Sequence, residues 1–269
     1  ILTADIASLG ANEMRQSCLL SPQGRILIEM SILIPAQNGE AERLYIACDE
    51  SQADELMKKL KLYRLRRKIT IGRCDDYSLI ASDEAPEFDD MLVCAPDKRA
   101  PNRGYLAIIK SDAIPALTLS DKAQHKAHRL LDAIPEGPEE LVPNRALMLE
   151  AGLDMFDAVD FKKGCYIGQE VTARTRWRGL VKRRLVPVKG ANLSAGASLM
   201  QDEKEVGTIL ATAPLGEGII GLASLRLAAI HKTDDGAALL CDEAAITLAI
   251  PDHLRPLPKP EDKSKPADK

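Results

Sequence analysis

The sequence predicts an α+β domain followed by a small antiparallel barrel or sandwich. Three observations carry this reading. In the first two thirds, short strand-like runs alternate with helix-like segments, and the strands sit mostly as hairpin neighbours. After Arg184 the texture changes to short strands broken by Gly190, Gly196, Gly207, Gly216 and Gly218. From Asp252 to Lys269, proline and alternating charge dominate, which predicts a solvated tail. The expected boundaries are 1–180, 181–251 and 252–269.

Residues 18–34 read as a hairpin. Ser21-Pro-Gln-Gly24 suits a type I turn, with proline second and glycine fourth. Arg43–Cys48 alternates, placing Leu44, Ile46 and Cys48 on one face. Ser51 is a candidate cap for a helix with apolar positions 53, 56, 57 and 60. Strands are expected at 68–72 and 77–81, then an acidic loop over Ser82–Asp90, then strands at 91–95 and 104–109. A second helix is expected from Ser120 to Ile134, with Ala123, Ala127, Leu130, Leu131 and Ile134 inward, stopped by Pro135-Glu-Gly-Pro138. A short helix is expected around 144–151. Beyond Arg184, strands are expected at 184–189, 205–213, 218–223 and 245–250.

The 269 residues are 45% hydrophobic and 28% charged, within the range of globular proteins. Only 3% are aromatic, so the core must come from Leu, Ile, Val and Ala. No apolar run reaches the length of a membrane span, and no membrane partner is expected. The first residue is Ile1 rather than Met, so a leading segment is expected to be missing, and a targeting peptide stays open. The six cysteines are scattered without a C-x-x-C pair, which argues against a disulfide framework or zinc site and for a reducing compartment. Cys48 and Cys94 read as small core residues.

Several candidate motifs carry little. Gly216-x-Gly218-x-x-Gly221 matches a dinucleotide fingerprint, but too little chain follows for a nucleotide-binding domain. It reads as turns and close backbone packing. His125 and His128, three apart on a predicted helix, lack a third ligand and read as a solvated face. Asp75-Asp76 and Asp89-Asp90 fall in loops and receive no role.

The segment Lys162–Arg184 is different. It holds eight basic residues and one acid, Glu170, in a chain of net charge −4. Basic charge gathered on an acidic chain points to an anionic ligand or partner at one place. Cys165 sits between Gly164 and Tyr166. Gly164 and Gly168 permit a tight backbone and close ligand approach, and Lys162 and Lys163 favour the thiolate. One cysteine cannot hold an iron–sulfur cluster alone, so another protein or a second copy must supply further thiolates.

The run Lys163-Gly-Cys-Tyr-Ile-Gly-Gln-Glu170 resembles the signature of the folate-binding YgfZ/Iba57 family, whose members share the fold of the glycine-cleavage T protein, an aminomethyltransferase. The resemblance covers about residues 1–250. Leu19-Leu-Ser-Pro-Gln-Gly-Arg-Ile-Leu27 is similar to the family's Pro-x-Gly hairpin. Asp97-Lys-Arg99 followed by Gly104-Tyr105 is similar to its Asp-Pro-Arg…Leu-Gly pattern, with Lys98 in place of the proline. Leu149-Glu150 matches its acidic position.

The resemblance implies a T-protein-like folate-binding domain of ferredoxin-like halves plus a small C-terminal antiparallel β-barrel. It implies a tetrahydrofolate-binding accessory protein for iron–sulfur cluster assembly or repair, acting on tRNA modification through cluster enzymes. Cys165 is the expected working thiol. The expected folate contacts are Glu150, Lys163, Tyr166, Gln169, Glu170, Arg174 and Arg176. Glu150 would accept from the pterin edge, and Arg174, Arg176 or Arg178 would pair with the glutamate tail. Expected partners are folate and the iron–sulfur machinery or its client enzymes, in the bacterial cytoplasm or the mitochondrial matrix of a eukaryote. The T-protein transferases carry an Asp-Asp pair where this chain has Ile26-Leu-Ile-Glu29-Met, with one carboxylate. That argues against direct aminomethyl transfer, which stays as the alternative function. An RNA-binding module ranks last, because Lys162–Arg184 offers only one tyrosine and one tryptophan for stacking.

Overall fold

The fold is organised around the hairpin that Ser21–Gly24 closes. In the computed structural model, which describes residues 1–36, 43–87 and 91–258, the Gly24 N–H donates to the Ser21 carbonyl at 2.9 Å. Strands β1 (Glu13–Leu20) and β2 (Ile26–Ile34) run antiparallel from this turn. Nearly every residue of β2 is buried, as its apolar run requires. A short β3 (Tyr45–Ala47) pairs with the far end of β2. Leu44 is 49% exposed, so only Ile46 and Cys48 of the predicted face reach the core. Asp49, not Ser51, provides the cap. Its carboxylate accepts from the Ser51 N–H and starts a 3-10 turn that runs into α1 (Ala53–Tyr63). Leu56 of α1 packs on Leu19, Ile28, Met30 and Ile32.

A second sheet consists of β4 (Tyr77–Ser82), β5 (Val93–Pro96) and β6 (Tyr105–Lys110) in the order β4-β6-β5. Met14 and Leu33 of the first sheet share a core with Val93, Ala95, Leu106 and Ile108 of the second. The strand expected at 68–72 does not form. That run lies on the surface with Ile69 half-exposed, because it offers no continuous face to bury and no strand pairs with it. Ser82 ends β4 rather than opening the acidic loop, and Asp89-Asp90 fall outside the described residues. Cys48 and Cys94 are half-buried; the fully buried cysteines are Cys18 and Cys241.

Helix α2 (Lys122–Leu131) is capped by Asp121 and is shorter than expected at both ends. It stops at Asp132 because Ala133 takes a positive φ of 55° and the Ile134 N–H turns back to the Arg129 carbonyl. Ala127, Leu130 and Ile134 are buried as predicted, whereas Ala123 and Leu131 are half-buried. One turn, α3 (Gly137–Glu140), follows. Residues 144–151 form turns, not a helix. The Ile26 N–H donates to the Ala146 carbonyl and the Asn144 N–H to the Ile26 carbonyl, so backbone pairing with the start of β2 displaces the helical bonds. A 3-10 turn, Leu153–Phe156, leads towards α4 (Gln169–Trp177).

The C-terminal part is a closed barrel. Its strands are β7 (Arg183–Gly190), β8 (Ser198–Gln201), β9 (Lys204–Leu215), β10 (Gly218–Arg226), β11 (Leu239–Cys241) and β12 (Ala244–Leu248), in the order β10-β7-β12-β11-β8-β9. Closure removes free edges, which decides barrel over sandwich. Helix α5 (Leu227–Asp234), β8 and β11 were not legible in the sequence. Inside lie Val186, Val188, Leu199, Ile209, Leu225 and Ile246. Ala211, Ala213, Ile220 and Leu222 face the other way and pack with Leu130 and Ile134, docking the barrel on α2. Gly216 forms the β9–β10 turn, and a Cβ on Gly221 would press on Ile209, Leu193 and Val188 at 3.3 Å, so the apparent dinucleotide fingerprint is turn and packing. The expected tail from Asp252 starts too early: Leu254 and Leu257 are buried. Residues 259–269 lie outside the described part.

Candidate functional site

Two features stand out, a polar cavity against β1 and a cysteine loop before α4. Gln16 sits on β1 at an inward position, between Met14 and Cys18. Its Nε2 donates to Glu29 Oε1 at 2.8 Å, while its own Oε1 is buried and has no partner among the described residues. Such an orphan acceptor is costly unless something else donates to it. Burial pushes the Glu29 carboxyl up to about 7, against the pull of the Gln16 hydrogen bond and the Arg99 charge. Gln16 lines a cavity of about 50 Å³ together with Leu9, Glu13, Arg15, Arg99 and Phe156. At the same cavity, Lys98 Nζ bonds Glu13 Oε1 at 3.0 Å.

Arg99 is held rigidly. Its Nε and Nη2 bond both Asp97 oxygens at 2.9 and 2.8 Å. Burial acts to raise the Asp97 carboxyl, yet Arg99 holds it below its ordinary value. The Asp97 N–H bonds the Gly104 carbonyl at 2.8 Å. Gly104 has φ +79°, and a Cβ there would collide with the Ser82 carbonyl oxygen, so the chain admits only glycine. Lys98 and Arg99 of this pattern therefore line the cavity, while Asp97 and Gly104 hold Arg99 from behind.

The cysteine loop is stitched to the same strand. The Asp160 carboxylate accepts from the backbone N–H groups of Lys162 (2.6 Å) and Lys163 (3.1 Å). Lys163 Nζ donates to the carbonyls of Leu2 and Ala4 at 2.8 and 2.6 Å. Between these, buried Thr3 donates to the Ala158 carbonyl and accepts from the Cys18 N–H on β1. The Lys163 ammonium thus anchors the loop to the N-terminal segment. Gly168 has φ +80°, and a Cβ there would lie 2.7 Å from the Ser21 carbonyl oxygen. This glycine lets α4 start against the hairpin turn. Gly164 faces open space, with no protein atom near the position of an added Cβ. Cys165 itself is exposed.

The remaining predicted residues fall in separate places. Tyr166 is a core residue whose buried hydroxyl has no partner among the described residues, and burial pushes its phenol up to about 12. Gln169 is half-buried, with Nε2 3.5 Å from the Lys163 carbonyl, and Glu170 is exposed. Arg174 is exposed. The Arg176 guanidinium lies 4.2 Å from the Phe161 ring centre and 5.7 Å from that of Trp177, and 3.8 Å from Asp154. Glu150 is half-buried. Burial raises its carboxyl, and Arg183, Arg25 and Lys182 oppose that. None of these residues lines the Gln16 cavity. Sequence reasoning missed Gln16, Glu13 and Arg15. The signal was there, as a polar residue at an inward position of an alternating strand.

Residues 182–256 match the family described as CAF17, C-terminal beta-barrel domain, which coincides with the closed barrel. The chain is 30% identical over 259 residues to the mitochondrial iron–sulfur cluster assembly factor IBA57 of Homo sapiens, covering 87% of this chain and 70% of the relative. The chain belongs to the IBA57 family. The Mus musculus IBA57 is 32% identical over 267 residues, with the same coverage. Among solved structures, the glycine cleavage system aminomethyltransferase T of Bartonella henselae superposes with a TM-score of 0.65 at 14% identity. The match covers 93% of this chain and 81% of that one. The chain therefore has the T-protein fold, two antiparallel sheets and a barrel.

Proposed function

We propose that this IBA57-family protein is a tetrahydrofolate-binding accessory factor for iron–sulfur cluster assembly or repair, with Cys165 as its working thiol. The observation that carries this reading is the separation of two chemistries. An exposed thiol sits on a stitched loop, while Gln16, whose Oε1 is a buried orphan and whose Nε2 is bonded to buried Glu29, lines a cavity that Cys165 does not line. A pterin edge carries N–H donors, and this orphan acceptor beside a carboxylate fits them. Gln16 would meet the edge of the ring with Glu29 behind it through their hydrogen bond, the cavity of about 50 Å³ taking only that edge, and Lys98 or Arg15 would meet an anionic tail. Bound tetrahydrofolate would supply one-carbon chemistry. The protein's part is to orient the ring and keep water from Glu29. Glu150, flanked by three cations, is the second candidate for the pterin contact, and Arg174 for the tail.

Cys165 would ligate a cluster only transiently, because the other thiolates must come from a partner. That partner belongs to the assembly machinery or is a client enzyme, and tRNA modification would follow from client cluster enzymes. The named relatives are mitochondrial. The matrix is the proposed site in a eukaryote and the cytoplasm in a bacterium.

Glu29 gives a specific reason to keep the transferase alternative. A buried carboxyl that titrates near 7 suits proton transfer. Calorimetric titration with tetrahydrofolate separates the readings. Binding is expected in the wild type and in Cys165→Ser, and loss of roughly tenfold or more in Gln16→Leu. Cys165→Ser is further expected to fail in restoring cluster-enzyme activity in cells lacking the protein. Full rescue by Cys165→Ser, with turnover of a folate adduct abolished by Glu29→Gln, would establish the transferase instead.

A further inference from the structure

Residues 58–68, Lys-Lys-Leu-Lys-Leu-Tyr-Arg-Leu-Arg-Arg-Lys, hold seven basic residues and no acid. They form the end of α1 and the turn after it, and every residue from 61 to 70 is exposed. Leu62 is 69% exposed, Leu65 81% and Ile69 50%. Leu65 also takes a positive φ of 54°, a conformation that costs an aliphatic side chain energy and holds it away from the core. Lys58, Lys61, Arg66, Arg67 and Lys68 have no side-chain partner among the described residues. Lys59 pairs with Glu55, and Arg64 bonds the Ile69 carbonyl. Nothing in this stretch lines the Gln16 cavity.

We propose that this surface docks the protein on an anionic phospholipid bilayer. Protruding aliphatic side chains among unpaired lysines and arginines are the composition that inserts shallowly at the headgroup boundary and pairs with anionic lipid. Nucleic acid fits less well, because Tyr63 is the one stacking platform and exposed leucines gain nothing from phosphate. A folded acidic partner would need a pocket for each of three protruding side chains. A bilayer surface needs none. The contact is peripheral, which is why the absence of a span-length apolar run does not bear on it.

Sedimentation of the full chain with vesicles tests this. Binding is expected to vesicles of phosphatidylcholine containing phosphatidylglycerol, not to phosphatidylcholine alone, and to weaken with salt. Arg66→Glu with Arg67→Glu should weaken it at least about tenfold. Leu65→Asp should weaken it roughly tenfold at the same salt. All these side chains are exposed and Asp tolerates the positive φ at residue 65, so melting temperatures should not fall below the wild type. Absence of binding, equal binding to both vesicles, or unchanged binding by Leu65→Asp overturns the proposal. Binding to a single-stranded oligonucleotide that the same variants lose, without vesicle binding, also overturns it and makes this a nucleic-acid surface.

Discussion

The interior of the barrel and the interior of the sheets before it are built on different terms. The barrel core is aliphatic, with Val188, Leu199, Ile209 and Leu225 almost fully buried. The N-terminal part buries Gln16, Glu29, Asp97, Arg99, Arg129 and Glu140 among its apolar side chains. Buried charge adds little net stability over well-packed apolar groups, but breaking one of its pairs is costly. The barrel interior thus rests on apolar packing, and the N-terminal interior on keeping its buried polar groups paired. Arg129 shows the pattern. It bonds both Glu140 oxygens at 2.7 Å and the Ile134 carbonyl at 2.6 Å, and stands 3.1 Å from Glu136.

The difference can be broken from either side. Arg129→Ala leaves the buried Glu140 carboxylate unpaired and should cost about 3–5 kcal/mol in urea unfolding. On the barrel side, Leu225→Ala should cost about 2–5 kcal/mol, through lost burial and the cavity left behind.

Glu29 sharpens the contrast. In the folded protein its carboxyl keeps a proton up to about pH 7, whereas its ordinary value is 4.5. Between those values the folded state binds more protons than the unfolded chain, so this group lowers stability as pH rises through that window. The shift corresponds to about 3 kcal/mol at most. Glu29→Gln should remove that fall, and melting temperatures measured from pH 4.5 to 8 would show a flatter profile. A profile unchanged by the substitution would mean that Glu29 is solvated. The smallest effect is expected at Tyr166. Its hydroxyl is buried without a partner among the described residues, so Tyr166→Phe should be neutral or stabilise by less than about 1 kcal/mol. A clear destabilisation would reveal a partner for that hydroxyl.

Much of this protein was set by the sequence locally. The Ser21–Gly24 turn, helix α2 with Ala127 and Leu130 inward, and the change of texture at Arg184 depend on neighbouring residues, so period and turn chemistry reveal them. The Lys163–Glu170 motif was likewise legible as a unit. Tertiary structure decided what depends on groups far apart in the chain. The predicted helix at 144–151 lost to pairing with Ile26, and the predicted strand at 68–72 found no partner. Lys163 was read as a charge beside a thiol and proved to be a tether, because the carbonyls that hold it belong to residues 2 and 4. Gln16 and Glu29 meet only when β1 and β2 pair. The orphan oxygen that marks the cavity is a property of that packing, and no local pattern encodes it.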